Sequence, residues 1–347
     1  MLAKRMGRIR PSQTLAVSGK AKEMAARGID VVDFSVGEPD FPTPAHIKAA
    51  AIQAIEEDFT KYTANPGIPE LRQAICDKLA RDHGLSYSPE EVIVSSGAKQ
   101  SLFNLSMAVL EEGDEVIIPT PAWVSYEPMT AITGATPVMI ETTPESGFRL
   151  LPEQLAEKLT PRTKALFLNN PSNPTGGAYT RKELEALAAV LRDSQAIVFS
   201  DEIYEKLVYD DFVFTSFVEL GGEWKERCVI VNGVSKAYSM TGWRIGYAAA
   251  PVELIKAMGK IQGHSTSNAN SIAQRAATAA LTGPHDEVER MRQAFAQRRD
   301  LMLAEMRQIP GVECTRPRGA FYLFPRWKSF LGKQAGGQTL ATCVDLA

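Results

Sequence analysis

Short apolar runs alternate with segments of helical periodicity through the middle of the chain. Seven runs have the length and composition of buried strands, at 92–94, 115–118, 137–140, 165–168, 197–199, 229–231 and 245–249. Apolar residues spaced as on one face of a helix recur at 12–27, 44–57, 68–82, 252–262, 268–281 and 286–308. Because continuous apolar strands separated by helices are buried on both faces, the pattern predicts an α/β fold. Its seven-stranded, mostly parallel sheet would be flanked by helices.

The two ends of the chain predict a second, smaller α+β unit beside this sheet. Residues 45–285 would form the large domain, residues 1–44 an N-terminal arm and part of the small domain, and residues 286–347 its C-terminal part. Within that part, Gly319–Pro325 has the pattern of a strand, and 340–347 that of an amphipathic helix without a cap or stop signal. Since a lone strand and half a helix cannot bury a core, we expect the small domain to be incomplete in this chain.

Composition narrows the class of protein. The 347 residues carry a formal net charge of −3, which argues against a nucleic-acid surface. The four cysteines form no C-x-x-C pair and the four histidines lack metal-ligand spacing, so neither a disulfide framework nor a metal site is expected. No signal-peptide segment follows the basic N-terminus, and no apolar run is long enough to span a bilayer. We therefore expect a cytoplasmic protein that binds no nucleic acid, metal or membrane.

A lysine and an arginine beside two predicted strands give the strongest chemical signal. Lys236 follows the run 229–231, and Arg244 lies eight positions later, at the edge of the run 245–249. A lysine at a strand end can form an imine with an aldehyde, and a nearby arginine can hold a phosphate with its planar set of donors. Pyridoxal 5'-phosphate (PLP) requires both from its protein. Spacing alone does not distinguish this pair from two solvated charges.

Loops at other predicted strand ends supply further groups that could bind PLP. Ser95–Lys99 leads from a strand into a helix. Its free N–H groups at the helix start suit a phosphate; alternatively, a serine of this loop simply caps the helix. Asp201 ends another strand, where a carboxylate can pair with a protonated ring nitrogen or can cap a turn, and Tyr204 can reach the same cleft. Asn173 lies in a proline-rich turn, and Trp123 can stack on a flat ring or pack internally. Together these loops predict one site at the carboxyl ends of the strands.

At these positions the chain resembles a known family. The motifs are Ser172-Asn173-Pro174-Thr175-Gly176, Ser200-Asp201-Glu202-Ile203-Tyr204, the segment from Ser235-Lys236 to Arg244, and Gly319-Ala320-Phe321-Tyr322. From about Ser12 to Phe324 the chain is similar to the class I, fold type I PLP-dependent aminotransferases, in their bacterial aspartate aminotransferase branch. The resemblance implies the fold type I architecture, PLP as cofactor, and a homodimer with shared active sites.

The resemblance also implies roles around the cofactor ring. Lys236 would form the imine with PLP and, once freed, act as the general base. Asp201 would pair with the pyridine nitrogen, and Tyr204 and Asn173 would contact the ring hydroxyl. Trp123 would stack on the ring, where it and Asn173 would also meet the substrate.

Further roles concern the phosphate and the substrate. The phosphate side would be surrounded by Gly97, Ala98, Lys99, Ser235 and Arg244, and Tyr62 would cross the dimer interface to the phosphate of the other subunit. Gly37 would lie beside the substrate carboxylate. Lys99 stands where this branch uses a lysine to recognise a distal carboxylate, although it can also be a solvated residue of the first helical turn, and Arg10 adds positive charge.

These positions favour aspartate or glutamate as the amino donor and 2-oxoglutarate or oxaloacetate as the 2-oxo acid. The shared ring-binding residues leave open another PLP reaction on the same fold. The alternatives are an aromatic, alanine or prephenate aminotransferase and a β-lyase.

Two departures from the family pattern bear on turnover. The family holds the substrate α-carboxylate with an arginine near its C-terminus, whereas this chain stops before that segment and Arg316, Arg318 and Arg326 do not occupy its motif. Loss of such a contact weakens substrate binding by about 2–5 kcal/mol, so a PLP-binding protein without turnover is an alternative of a different class. Gly233 stands where some relatives place a phosphate-contacting serine, and Ser235 is expected to compensate.

Overall fold

A seven-stranded sheet dominates the structure, a computed structural model that describes residues 2–9, 11, 13–34, 36–342 and 345–346, with the backbone alone at 13–16. Its strands are β1 (Val92–Ser95), β2 (Glu115–Thr120), β3 (Thr136–Glu141), β4 (Thr163–Asn169), β5 (Ile197–Asp201), β6 (Cys228–Gly233) and β7 (Gly246–Ala249). They lie in the order β1-β7-β6-β5-β4-β2-β3. Neighbours from β6 to β3 are parallel, and β7 is antiparallel to β1 and β6. The predicted mostly parallel sheet is confirmed.

Both faces of the sheet are buried along its central strands, whereas the edge strand β3 is mostly exposed or half-buried. Val198 and Ile230 belong to one apolar cluster, whereas their chain neighbours Phe199 and Val229 belong to the cluster on the opposite face. All four side chains are 0% exposed. Because successive residues of a strand point to opposite faces, a strand buried on both faces needs apolar residues throughout. This is why the strands stand out in the sequence as continuous apolar runs.

Helices surround the sheet and close the fold. In the described part of the chain they are α1 (Gln13–Ala26), α2 (Ala45–Glu56), α3 (Pro69–His83), α4 (Ala98–Val109), α5 (Tyr126–Thr133), α6 (Pro152–Lys158), α7 (Arg181–Leu191), α8 (Trp224–Arg227), α9 (Val252–Gly263), α10 (Ser271–Thr282) and α11 (Asp286–Gln308). The six helices predicted from periodicity are present within a few residues. Among the described residues, no helix has the length and apolar character needed to cross a membrane.

A third apolar cluster connects α11 to the sheet. Met291 and Phe295 of α11 pack with Tyr204 and Leu207 from the loop after β5, and with Ala320. This contact brings the segment 320–322 to the end of the sheet where β4, β5 and β6 finish. The division of the chain into domains at 44/45 and 285/286 stays a prediction.

The predicted strand at Gly319–Pro325 is wrong over most of its length. Its strand pairing consists of the two-residue ladder of β8 (Glu313–Cys314) with β9 (Pro325–Arg326) and an isolated antiparallel bridge from Gly319 to Val208. Ala320 has a left-handed backbone with φ 55°, and its N–H donates to the Leu207 carbonyl at 2.8 Å. The segment therefore packs on a loop of the large sheet instead of extending as a strand.

The predicted helix at 340–347 is wrong for the described residues. The Asp345 carboxylate accepts the backbone N–H groups of Ala341 and Thr342 at 2.9 and 2.7 Å, which closes a turn. Such local side-chain bonds offer the backbone an alternative to a helix. A short hairpin of β10 (Gln334–Ala335) and β11 (Gln338–Thr339) precedes this turn. Positions 343, 344 and 347 of the predicted helix lie outside the described residues.

Candidate active site

A cavity of about 520 Å³ opens at the carboxyl ends of the parallel strands. Loops leave the sheet there, so side chains from separate parts of the sequence converge. Most of the residues predicted for the site line this cavity: Gly37, Ala98, Lys99, Trp123, Asn173, Asp201, Tyr204, Ser235, Lys236 and Arg244. The structure thus brings together loops that follow β1, β2, β4, β5 and β6.

Lys236 enters the cavity from the turn after β6. Its Nζ donates a hydrogen bond of 2.6 Å to the carbonyl of Gly37. Burial lowers the pKa of Lys236 to about 8, with Arg244 acting in the same direction and the carboxylates of Glu38 and Asp201 opposing it. Near neutral pH a useful fraction of this amine is therefore unprotonated, as a nucleophile or a general base requires.

Asp201 ends β5 and is buried. Its Oδ2 accepts a hydrogen bond of 2.6 Å from the hydroxyl of Tyr126, at the start of α5. Burial raises the pKa of Asp201 to about 6, and the bond from Tyr126 limits that rise. Sequence analysis missed Tyr126, because it has no motif. The available signal was its place three residues after Trp123, on a loop already assigned to the site.

Tyr204 and Asn173 meet at a further hydroxyl, that of Tyr322. The two phenol oxygens lie 2.5 Å apart, and Nδ2 of Asn173 donates to the Tyr322 oxygen at 3.2 Å. Burial raises the pKa of Tyr322 to about 12 and that of Tyr204 well above its ordinary value. Both phenols therefore keep their protons at neutral pH. The sequence marked Tyr322 only as part of a motif and gave no reason to place it in the site.

Gly97 and Arg244 build a cationic corner where α4 begins. Gly97 has φ 91°, and a Cβ on it would lie 2.2 Å from Nη2 of Arg244. Gly97 thus supports the corner without lining the cavity. Arg244 donates to the carbonyl of Thr241 at 2.8 Å, which orients the guanidinium. A guanidinium, the N–H groups of a helix start and the nearby Ser235 are suitable donors for a phosphate.

Lys99 and Trp123 also line the cavity and contact each other. The Nζ of Lys99 lies 4.8 Å from the centre of the Trp123 ring. Burial, and then the charge of Arg244, lower the pKa of Lys99. Tyr62 does not reach the cavity, since its side chain is 92% exposed on the surface of this chain. Arg10 lies outside the described residues.

The profile of the family "Aminotransferase class I and II" matches residues 29–336. The chain belongs to this family. It is 53% identical over 337 residues to the aspartate/prephenate aminotransferase of Cereibacter sphaeroides, an alignment covering 97% of this chain and 84% of the relative. Identity to the aspartate aminotransferase of Geobacillus stearothermophilus is 54% over 324 residues, or 93% of this chain and 82% of the relative.

Solved structures agree with the family. The crystal structure of the aspartate aminotransferase from Rhizobium meliloti matches with a TM-score of 0.95 at 45% identity, covering 100% of this chain and 87% of that one. The protein is a PLP-dependent aminotransferase with the fold type I architecture, so the expected enzyme class, fold and cofactor are confirmed.

The cavity fits the cofactor chemically. A buried carboxylate at Asp201, an amine of lowered pKa at Lys236 and a guanidinium at Arg244 surround one space. These are the groups needed for a ring nitrogen, an aldehyde and a phosphate. Gly97 leaves room for the guanidinium beside the start of α4, where a side chain would displace it.

Proposed function

We propose that this aminotransferase moves the amino group of aspartate or glutamate to a 2-oxo acid, 2-oxoglutarate or oxaloacetate. The observation that carries the proposal is the single cavity shared by Lys236, Asp201, Arg244 and Lys99. Lys99 adds a positive charge to the cavity besides those of Arg244 and Lys236, which suits a substrate with a distal carboxylate. The names of the Geobacillus and Cereibacter relatives, each acting on aspartate, support this choice.

Lys236 is the proton carrier of the proposed reaction. When bound, PLP supplies an aldehyde that combines with amino groups and a protonated ring that withdraws electrons. In its neutral form, Nζ of Lys236, whose pKa is about 8, is able to take the Cα proton of the amino acid and then to pass that proton on instead of returning it to Cα. The Gly37 carbonyl holds Nζ on the side of the cavity where the substrate carboxylate is proposed to lie.

The remaining residues bind and orient. Asp201 would hold the proton on the ring nitrogen. The hydrogen bond from Tyr126 lowers the pKa of that carboxylate against the effect of burial and so favours its ionised form at neutral pH. Tyr204 and Asn173 would donate to the ring oxygen. This assignment is supported by their polar atoms, which meet at the Tyr322 hydroxyl in the cavity. Trp123 would cover the ring face.

The phosphate end of the cavity would use a separate set of donors. It is assigned to the guanidinium of Arg244, the hydroxyl of Ser235 and the N–H groups around Gly97, Ala98 and Lys99.

A homodimer is part of the proposal. Tyr62 is 92% exposed, which is unusual for a large aromatic residue with nothing to cover it. Two hydrogen bonds of the Gln274 side chain hold the loop that carries Tyr62. Gln274 donates to Thr63 at 3.0 Å and accepts from the N–H of Ile68 at 2.8 Å. A rigid loop presenting an exposed tyrosine suits a contact with the phosphate of a second subunit.

An absorbance titration tests the proposal. The protein is loaded with PLP and then given L-aspartate, L-glutamate and L-alanine separately. We expect the bound cofactor to convert to its amine form with the two acidic amino acids, and much less with alanine. In Lys99→Met, which keeps length but removes the charge, conversion by aspartate and glutamate should fall while that by alanine does not. A cofactor band that no amino acid changes would reject transamination by this chain.

A further inference from the structure

The hydroxyl of Tyr322 occupies a position fixed by three separate segments. It lies 2.5 Å from the Tyr204 hydroxyl and 3.2 Å from Nδ2 of Asn173. It also lies against Gly37, where a Cβ would come within 2.2 Å of the Tyr322 oxygen. Since only a residue without a side chain leaves this space, Gly37 and Tyr322 are sterically matched.

The backbone before Tyr322 is held in an uncommon conformation. Ala320 has φ 55°, a left-handed value that is unfavourable for a residue with a Cβ. Its N–H donates to the Leu207 carbonyl, and its own carbonyl accepts from the hydroxyl of Tyr209. Strain of this kind persists only where the surroundings enforce it, and it is common at functional sites. Here it directs the chain so that Tyr322 enters the cavity.

The rings around Tyr322 restrict its movement. Its ring contacts that of Tyr204 edge-on, with centroids 5.6 Å apart and an interplanar angle of 79°. The ring of Phe321 lies 4.9 Å away and also packs on Phe295 of α11. The hydroxyl is therefore presented by a packed aromatic group and not by a free side chain.

Proton counting gives the hydrogen bonds a direction. Each phenol has one proton, and the amide of Asn173 donates to Tyr322. If Tyr322 donates to Tyr204, the proton of Tyr204 remains available for an acceptor in the cavity. If Tyr204 donates to Tyr322, its only proton is used within the pair. An oxygen on the cofactor ring selects the first arrangement, because that arrangement offers it a donor.

We propose that Tyr322 is a positioning residue, which accepts from Asn173 and donates to Tyr204 so that the Tyr204 proton points at the ring oxygen of bound PLP. This inference rests on the proposed function, which places Tyr204 at that oxygen. A donor stabilises negative charge on the oxygen, and an oxygen so stabilised holds a neighbouring proton less tightly. Loss of the Tyr322 hydroxyl should thus raise the pKa of the bound chromophore.

The test is a pH titration of the visible absorbance of the PLP-loaded protein. Tyr322→Phe keeps the ring and removes one hydroxyl, and we expect it to raise the chromophore pKa by about 0.5–1 unit, the equivalent of one hydrogen bond. Tyr204→Phe, which removes the direct donor, should raise it further. Tyr87→Phe is the matched control, because Tyr87 is buried but lies outside the cavity, and it should leave the pKa unchanged.

The outcomes separate this inference from the proposed function. A raised pKa in Tyr204→Phe with an unchanged one in Tyr322→Phe would overturn the role of Tyr322. An equal rise in Tyr87→Phe would also overturn it, since any buried hydroxyl would then have the effect. If Tyr204→Phe itself leaves the pKa unchanged, the placement of Tyr204 at the ring oxygen fails, and the role of Tyr322 fails with it.

Discussion

Tyr126 donates a hydrogen bond of 2.6 Å to Oδ2 of Asp201, and both side chains are buried. The two residues are 75 positions apart in the chain and meet where β5 ends and α5 begins. Burial raises the pKa of Asp201 to about 6, and the phenol opposes that rise. The hydrogen bond from one neutral phenol therefore limits the rise in the pKa of a buried carboxylate, so that the carboxylate is ionised at neutral pH.

Tyr126→Phe should raise the pKa of Asp201 by about 1–2 units, the equivalent of one hydrogen bond to a charged group. The folded-state pKa of Asp201 lies above its ordinary value of 3.8, so its ionisation costs stability as pH rises through about 6. In the variant, folded-state stability continues to fall until a higher pH, because Asp201 has a higher pKa there. The deficit in unfolding free energy should therefore grow by about 1.5–3 kcal/mol between about pH 5.5 and about pH 8.5.

Urea unfolding of the cofactor-free protein across this pH range measures the deficit. The control places Tyr126→Phe in an Asp201→Asn background, where position 201 cannot ionise and the deficit should not depend on pH. A deficit in Tyr126→Phe that is constant with pH would show that the phenol does not control the ionisation of Asp201.

Gly97→Ala should weaken PLP binding by at least about tenfold, because the new methyl group occupies the place of the Arg244 guanidinium and removes a charge-assisted contact to the phosphate. Gly221→Ala is the matched control. Gly221, with φ 72° and ψ −163°, has a backbone conformation in the same glycine-favouring region as Gly97, with φ 91° and ψ 156°, but no atom lies within 4 Å of its added Cβ. Both variants carry a backbone cost of about 1–3 kcal/mol, so the difference in PLP affinity isolates the steric effect. Equal PLP affinities would contradict it.

A network of ion pairs holds Glu205, the residue that follows Tyr204 in the loop after β5. The two ring nitrogens of His83 contact Glu205 and Glu219 at 2.7 and 2.8 Å, and Lys78 also pairs with Glu205. Burial alone would lower the pKa of His83, but the hydrogen bonds to Glu205 and Glu219 outweigh it and raise the pKa to about 9. His83 therefore remains protonated at neutral pH and holds both carboxylates.

The raised pKa of His83 predicts a loss of stability in alkali. Its contribution is complete below the ordinary pKa of 6.5 and disappears as pH rises through about 9. Over this window the unfolding free energy should fall by about 3 kcal/mol. His83→Gln should start lower and lack this fall, while His264→Gln, at an exposed histidine, should behave as the unmodified protein. Thermal unfolding at stepped pH measures it, and parallel profiles for His83→Gln and the unmodified protein would contradict the assignment.

The sequence could predict what depends on local patterns. The apolar run 197–199, which forms most of β5, could be recognised because burial on both faces demands unbroken apolar residues. Lys236 and Asp201 could be placed because strand ends of a parallel sheet meet at one edge. Both inferences need only the order of elements along the chain.

Features that depend on contacts between distant segments could not be predicted. Tyr126 and Tyr322 enter the site through packing partners 75 and 118 positions away. The segment 319–325 looked like a strand, but hydrogen bonds to Leu207 and Gly176 hold it against the large sheet. The pattern of polar and apolar residues does not encode these partners.

The central claim is that Lys236 is the lysine that binds PLP. Borohydride reduction of the PLP-loaded protein, followed by peptide mapping with mass spectrometry, tests it directly. We predict the reduced cofactor on the peptide containing Lys236, none on Lys99, the other lysine that lines the cavity, and none anywhere in Lys236→Ala. Cofactor bound to Lys99, or undiminished labelling of Lys236→Ala, would contradict the account.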